Sequence, residues 1–209
     1  MRGALTLIEL IFSMVIIATA FTVFPKVLQI SAKSAKTTLK EEALYNAVAL
    51  AGLIKNLPWD EKNTLLDDIL IARGGHVEYN CSKRWGGYYR KGGFVGSRNC
   101  MHQEEASVIG DDGDTVPDDI DDFAGKSIRA ASAKREYLLD VNVSYVEDIE
   151  PGDTGQFSLA PGSLTNTKYI SIIVKPQKKS ADLSSAFGKI DYHAHNIGQI
   201  SVNKLAWEQ

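Results

Sequence analysis

The chain has 209 residues, of which 44% are hydrophobic and 23% are charged, and its formal net charge is −3. Because this net charge is slightly negative, the protein has no overall electrostatic field that attracts nucleic acid. Two cysteines alone cannot form a structural zinc site, which takes four ligands. About 150 residues follow residue 57, which is enough chain for a single hydrophobic core.

The first predicted element is an apolar segment of twenty residues, LTLIELIFSMVIIATAFTVF, between Leu5 and Phe24. It is long enough to span a membrane, and longer than the apolar core of a secretory signal peptide, which has about 7 to 15 residues before a small-residue cleavage site. Its single charge, Glu9, would cost roughly 2.5 to 3.5 kcal/mol in hydrocarbon and therefore indicates a functional site with a partner. The alternative is an ordinary single-pass anchor in which Glu9 is locally hydrated.

The sequence GALTLIEL at residues 3–10 resembles the type IV prepilin signature. In that family a membrane-embedded prepilin peptidase removes a short basic leader, and the new amino terminus is methylated. The glutamate is the fifth mature residue of the family, so the resemblance implies a cut between Ala4 and Leu5 and methylation of Leu5. The chain departs from the family in having alanine before the cut and leucine after it, where glycine and phenylalanine are usual. A cut after Gly3 would restore glycine but would make Glu9 the sixth residue.

The resemblance also supplies a partner for Glu9, namely the amino terminus of a neighbouring subunit in a helical filament. A carboxylate and an ammonium group buried together cost less than either one alone. The implied partners are other pilin or pseudopilin subunits, the prepilin peptidase and an inner-membrane assembly platform. The implied location is a single pass of the bacterial inner membrane with a periplasmic soluble domain, followed by assembly into a pilus or pseudopilus.

A long helix is predicted to continue beyond the membrane segment. Pro25 predicts a kink in this helix, and the next proline is Pro58. Apolar residues recur at helical spacing along the second half of the helix, at Ala43, Ala47, Leu50, Ile54 and Leu57. Pilin-like proteins are similar to this plan, with a spine helix lying on an antiparallel sheet, so the expected fold class is α+β. The expected organisation is a leader at 1–4, a membrane half of the helix at 5–24, a soluble half at 25–57 and a globular domain at 58–209.

Strands are predicted in the carboxy-terminal half of the chain. Residues 137–146 alternate between apolar and polar side chains, and residues 168–175 are almost continuously apolar. Further strands are predicted at 188–195 and 198–205. Residues 60–72 have a composition that predicts a short helix.

Cys81 and Cys100 are predicted to form a disulfide if the domain lies in an oxidising compartment. The loop between them contains basic and aromatic residues and no acid. Such a mixture can hold single-stranded nucleic acid or sugars by stacking and charge, and some pilin-like subunits of uptake filaments bind DNA. The alternative is an exposed loop whose aromatic side chains pack locally or on a neighbour. The candidate polymer-binding residues are Arg84, Trp85, Tyr88 and Arg90.

An acidic run follows, with nine acids and no base between Glu104 and Asp122. Calcium takes six to eight oxygen ligands, so this carboxylate density makes the run a candidate calcium site, although it lacks the EF-hand pattern. The alternatives are a solvated acidic loop, or an electrostatic match with the basic loop within the chain or between subunits. The sequence PDDIDDF at 117–123 also resembles minor pilins of the mannose-sensitive haemagglutinin type. The candidate calcium ligands are Asp112, Asp114, Asp119, Asp121 and Asp122.

No pattern in the sequence predicts an enzyme. His193 and His195 would share one face of a strand, but no third metal ligand is evident. The serine, cysteine and histidine residues form no nucleophile motif, and the glycines form no phosphate-binding pattern. The predicted function is therefore structural, as a minor pilin or pseudopilin of a type IV pilus or type II secretion system. The alternatives are an unprocessed, membrane-anchored ligand-binding protein and a DNA-binding uptake pilin.

Overall fold

The computed structural model describes residues 6–84, 86–90, 99–110, 116–132, 135–150, 152–176 and 186–198. A long N-terminal helix and an antiparallel sheet give the α+β class that the sequence predicts. The chain divides into two compact units, residues 1–43 and 44–209.

The first unit is built on helix α1, which begins at Leu7 and ends at Lys55 in the second unit. Pro25 lies inside this helix; it lacks an N–H donor, and the kink expected there stays a prediction. Three hydroxyl groups of the apolar segment donate to carbonyl oxygens of their own helix: Ser13 to Glu9 at 2.7 Å, Thr19 to Ile16 at 2.9 Å and Thr22 to Thr19 at 2.9 Å. The polar groups of these side chains are therefore satisfied without solvent.

The second unit contains a four-stranded antiparallel sheet with strand order β3-β4-β5-β6 and a separate hairpin of β1 and β2. Strands β4, β5 and β6 confirm three of the four predicted strands, whereas β3 and the hairpin had no prediction. The strands are β1 Cys81–Arg84, β2 Gly87–Arg90, β3 Ser127–Ser132, β4 Arg135–Val146, β5 Thr167–Pro176 and β6 Gly188–His195.

The hydrophobic core is formed by the alternating apolar side chains of β4 and by the apolar run of β5. Side chains at every second position of β4 are buried, which confirms the face predicted from the sequence. Residues of the central strand β5 are buried next to them. The buried side chains are Leu139, Val141, Val143 and Tyr145 on β4, and Ile170, Ile172 and Val174 on β5.

The last three turns of α1, from Leu44 onward, lie on this sheet. Asn46 Nδ2 donates a hydrogen bond to the Tyr137 hydroxyl. Gly188 leaves room for a side chain from the helix, since a Cβ atom there would lie 2.5 Å from Leu44 Cδ2. The predicted apolar stripe is buried at Ala47, Leu50 and Ile54 in this unit.

The helix predicted over residues 60–72 is wrong in extent. Helix α2 covers only Lys62–Leu65, and Leu66 has an extended backbone with φ −120°. Beyond it, the backbone N–H groups of Ile69 and Ile71 donate to carbonyls of residues 99 and 104 at 2.8 and 2.7 Å. These bonds to a distant segment replace the helical ones. Residues 199–205 of the strand predicted at 198–205 lie outside the described part of the chain.

Cys81 and Cys100 are joined in a disulfide, as the sequence predicts. Cys100 is fully buried and its N–H donates to Tyr88 O at 3.0 Å, so the bridge ties the hairpin to the following segment. Replacing both cysteines by alanine is expected to lower the free energy of unfolding by about 3 kcal/mol, because the unfolded chain then regains the entropy of an open loop. Denaturant unfolding measures this change, and reduction of the natural protein serves as its control. Equal stability with and without the bridge would contradict the expectation.

Candidate functional site

The apolar segment of α1 has no cover within the described part of the chain. Its most apolar 18-residue window has a mean hydropathy of 2.3 and no buried residue. Large side chains such as Leu7, Phe21 and Phe24 are 66 to 79% exposed. Folded proteins seldom leave a contiguous apolar surface of this size open to water unless a membrane or a partner covers it. By length and composition, this helix near the N-terminus is able to cross a membrane.

Glu9 lies in the first turn of α1 on this apolar surface. Its carboxylate has no ion-pair partner among the described residues, and its neighbours on the helix are the exposed Ile8, Leu10 and Phe12. An acid in that setting needs a cation from another molecule, or water, when the helix is covered. The predicted cleavage residues Ala4 and Leu5 lie outside the described residues.

A second candidate site is an ion cluster in the core of the second unit, formed by Lys168, Asp60 and Asp121. Lys168 is the only cation of this ion cluster and is fully buried on β5. Its Nζ donates to Asp121 Oδ2 at 2.7 Å and to the Trp59 carbonyl at 2.6 Å. Asp60 Oδ2 lies 3.7 Å from the same nitrogen. Three segments distant in sequence thus meet at one lysine. They are residues 59–60 after α1, the 3₁₀ turn at Asp121–Phe123, and β5.

Two aromatic rings enclose the ion cluster. Lys168 Nζ lies 3.9 Å from the centre of the Trp59 ring and 5.3 Å from that of Tyr145. The two rings meet edge to face, with centroids 6.1 Å apart. Their polar atoms are also satisfied, since Tyr145 donates its O–H to Ser107 O at 2.7 Å. The rings attract the cation and exclude water from it.

The two carboxylates of the ion cluster differ in their hydrogen bonds. Asp60 Oδ2 accepts from the N–H and the hydroxyl of Ser107 at 2.7 and 2.8 Å. Asp121 Oδ1 is buried without a hydrogen-bond partner among the described residues. Burial raises the pKa of Asp121 to about 7, against the opposing charge and hydrogen bond of Lys168. Burial therefore favours the neutral, protonated form of Asp121.

Asp119 and Asp122 of the acidic run are also buried, whereas Glu104 and Asp118 are exposed. Asp119 Oδ1 accepts from the Asp122 N–H at 2.9 Å, and Asp122 Oδ2 accepts from the Asp118 N–H at 2.9 Å. Burial raises the pKa of Asp119 to about 6, although backbone N–H donors oppose it. The electrostatic partner of this segment is Lys168, which the sequence reasoning missed. The available signal was a lysine at the start of the almost continuously apolar strand predicted at 168–175.

The calcium site stays a prediction. Asp112 and Asp114 lie outside the described residues, and Asp119, Asp121 and Asp122 already bond to backbone N–H groups or to Lys168. In the part of the chain that the structure describes, no group of three or more histidine, cysteine or acidic side chains is arranged to hold a metal ion.

The candidate polymer-binding residues are only partly described. The side chain of Arg90 binds acceptors of its own domain. Its guanidinium donates to Tyr79 O, Asn196 O and Asn166 Oδ1 at 2.9, 2.6 and 2.8 Å. Burial lowers the pKa of Arg90. Tyr88 is half-buried on β2, Arg84 ends β1, and Trp85 lies outside the described residues.

The exposed apolar helix with Glu9 and the buried ion cluster are the two features with evident chemistry. The helix presents an exposed apolar surface, and the ion cluster places an amine against carboxyl groups away from water. This chain matches no protein-family model, no curated protein and no solved structure.

Proposed function

We propose that the chain is a filament subunit of the type IV pilin class, a minor pilin or pseudopilin of a type IV pilus or type II secretion system. It is made as a prepilin, held in the inner membrane by the first part of α1, processed, and then packed with other subunits through this helix. One observation carries the proposal: the membrane-length apolar segment of α1 is exposed and bears a single charged side chain, Glu9, in the first turn of the helix.

The physical support for this proposal is that the apolar surface of the helix must be covered at both stages. Lipid would cover it before assembly, and the helices of other subunits would cover it afterwards. In either setting an ionised Glu9 is costly without a cation nearby. Cleavage after Ala4 would create a basic α-amine at Leu5, and the α-amine of a neighbouring subunit is a cation of suitable size to pair with the carboxylate. Pairing these groups would fix the axial position of an incoming subunit.

The second unit favours a minor component over the main building block of the shaft. The hairpin of β1 and β2 and the acid-rich segment after it are additions to the helix and the four-stranded sheet. Additions of this kind give one subunit a specialised surface. A DNA-binding uptake pilin receives less support, because Arg90 donates to acceptors of its own fold.

The competing function is an unprocessed single-pass anchor for a ligand-binding domain. It explains the exposed helix equally well, because a lone helix of this length and composition is able to span a bilayer. It leaves Glu9 without a cationic partner. The two functions therefore differ in what happens to the residues before Leu5.

Co-expression with a prepilin peptidase is expected to remove residues 1–4 and leave methylated Leu5 as the first residue. Mass spectrometry of the purified full-length chain measures both changes, and an inactive peptidase provides the control. A product that begins at Ala4 would place the cut after Gly3 and keep the proposal. An intact Met1 in the presence of active peptidase would overturn it in favour of the unprocessed anchor.

A further inference from the structure

The amine of Lys168 and the carboxyl group of Asp121 are in direct contact away from water. Their Nζ and Oδ2 atoms lie 2.7 Å apart, and the two side chains are 0% and 3% exposed. Removing two charges from water costs several kcal/mol per ion, which their mutual attraction offsets only in part. A reaction that converts both groups into one neutral amide would remove this cost.

The groups next to this pair, the Trp59 carbonyl and the Asp60 carboxylate, are placed for such a reaction. Trp59 O accepts one N–H of Lys168 and Asp121 Oδ2 accepts another, so the amine is held against this carboxyl group. Asp60 Oδ2, fixed by two hydrogen bonds from Ser107, lies 3.7 Å from the reacting nitrogen. It would have to move about 0.5 Å closer to take a proton from that nitrogen. Asp121 Oδ1 is bound by no donor of the described residues, so no hydrogen bond holds that oxygen in its anionic form.

We propose that Lys168 and Asp121 condense into an intramolecular amide, with Asp60 carrying the proton. The proton that Lys168 Nζ shares with Asp121 Oδ2 first passes to the carboxyl group. The amine, now neutral, attacks Cγ of the protonated Asp121, and a C–N bond forms. Asp60 takes a proton from the nitrogen and returns it to the departing hydroxyl, the Cγ–O bond breaks, and one water leaves. The amine and the acid thus become an amide and water without any oxidant or other co-reactant.

The product would be a covalent link between β5 and the 3₁₀ turn at Asp121–Phe123, joining residues 47 positions apart. The rings of Trp59 and Tyr145 keep water away from the amide and so protect it from hydrolysis. The link would hold the acid-rich segment on the sheet even when the rest of the domain is strained. It is independent of whether the chain assembles into a filament.

The same sheet carries a matched control. Lys175 Nζ and Asp140 Oδ2 are also 2.7 Å apart, but their side chains are 15% and 27% exposed. Asp140 Oδ1 accepts the Ser127 hydroxyl at 2.6 Å, and no second carboxylate lies within ion-pair distance of Lys175 among the described residues. This pair remains solvated and has no proton carrier, so it is expected to stay ionic.

The test is mass spectrometry of the full chain after reduction and tryptic digestion. We expect residues 99–126 and 136–178 to be recovered as one branched peptide, lighter than the sum of its parts by one water, about 18 Da. Trypsin would not cut after the acylated Lys168. Separate peptides 99–126 and 136–168 at full mass, from folded protein, would overturn the proposal. A link between Lys175 and Asp140 would overturn it as well, because contact alone would then suffice.

Two variants test the assigned roles. Lys168→Arg keeps the positive charge but has no primary amine, and it is expected to give no branched peptide. Asp60→Asn keeps the size of the side chain but not its basicity, and it is expected to leave most of the chain unlinked, as measured by the branched fraction at equal times after synthesis. An equal branched fraction in Asp60→Asn would exclude Asp60 as the proton carrier. The measurement on the natural chain decides the main claim even if a variant fails to fold.

Discussion

Replacing Lys168 by methionine is expected to lower the free energy of unfolding of the globular unit by about 3 to 5 kcal/mol. Methionine has a similar length but no charge, so Asp60 and Asp121 would remain buried without a cation. The loss is expected whether the natural Lys168–Asp121 pair is ionic or joined as an amide, since in either state Asp121 is not left as an unpaired buried charge. Denaturant unfolding followed by far-ultraviolet circular dichroism measures the change.

Lys175→Met is the control for this variant, since Lys175 pairs with Asp140 at the same distance near the surface. Its expected cost is about 1 kcal/mol or less, because solvent screens exposed pairs. Adding Asp121→Leu to Lys168→Met should recover much of the loss, because it removes a buried acid that has no partner. If the double variant were as unstable as the single one, the cost would come from lost packing and not from charge.

Periodicity explains why the sheet and the helix were predictable from the sequence. Strand β4 alternates because its two faces differ in burial, and Val141 and Val143 therefore mark the core face directly. The stripe through Ala47 and Ile54 likewise marks the helix face on the sheet. Both patterns are local, so a single sequence contains them in full.

The ion cluster was not predictable, because it depends on contacts between distant segments. The acids at 118–122 have the composition of a solvated loop or a cation site, and only the position of Lys168, 47 residues beyond Asp121, reveals how they are neutralised. Strand β3 escaped prediction for a related reason. Its sequence SIRAAS has only one of the β-branched and aromatic residues that favour strands, and its pairing with β4 decides its structure.

The helix end in the second unit has two contrasting faces that fit the proposed function. Ala47 and Ile54 are buried in the unit, whereas Tyr45, Val48 and Leu53 are 58 to 76% exposed. Exposed apolar side chains on a surface helix lose contact with water favourably when a partner covers them. In a filament, this outer face would be covered by other subunits, whereas an isolated anchored domain would leave it in solvent.

Replacing Glu9 by glutamine is expected to prevent incorporation into filaments while leaving membrane insertion and leader cleavage intact. Glutamine keeps the shape of the side chain but cannot neutralise the α-amine of a neighbouring subunit, which would then be buried without a counter-ion. The cost of an unpaired buried charge, about 3 to 5 kcal/mol, corresponds to at least a hundredfold loss of incorporation, because about 1.4 kcal/mol is a factor of ten.

The experiment compares the variant chain in sheared filaments with the same chain in the membrane fraction, in cells that produce the complete assembly machinery. Glu41→Gln is the matched control, because Glu41 is an exposed acid of the same helix outside the apolar segment, and it should be incorporated normally. Cleaved and methylated Glu9→Gln subunits that remain in the membrane would support charge pairing as the step that admits a subunit. Incorporation of Glu9→Gln at the natural level would show that no buried amine needs this carboxylate, and the proposed assembly contact would be wrong.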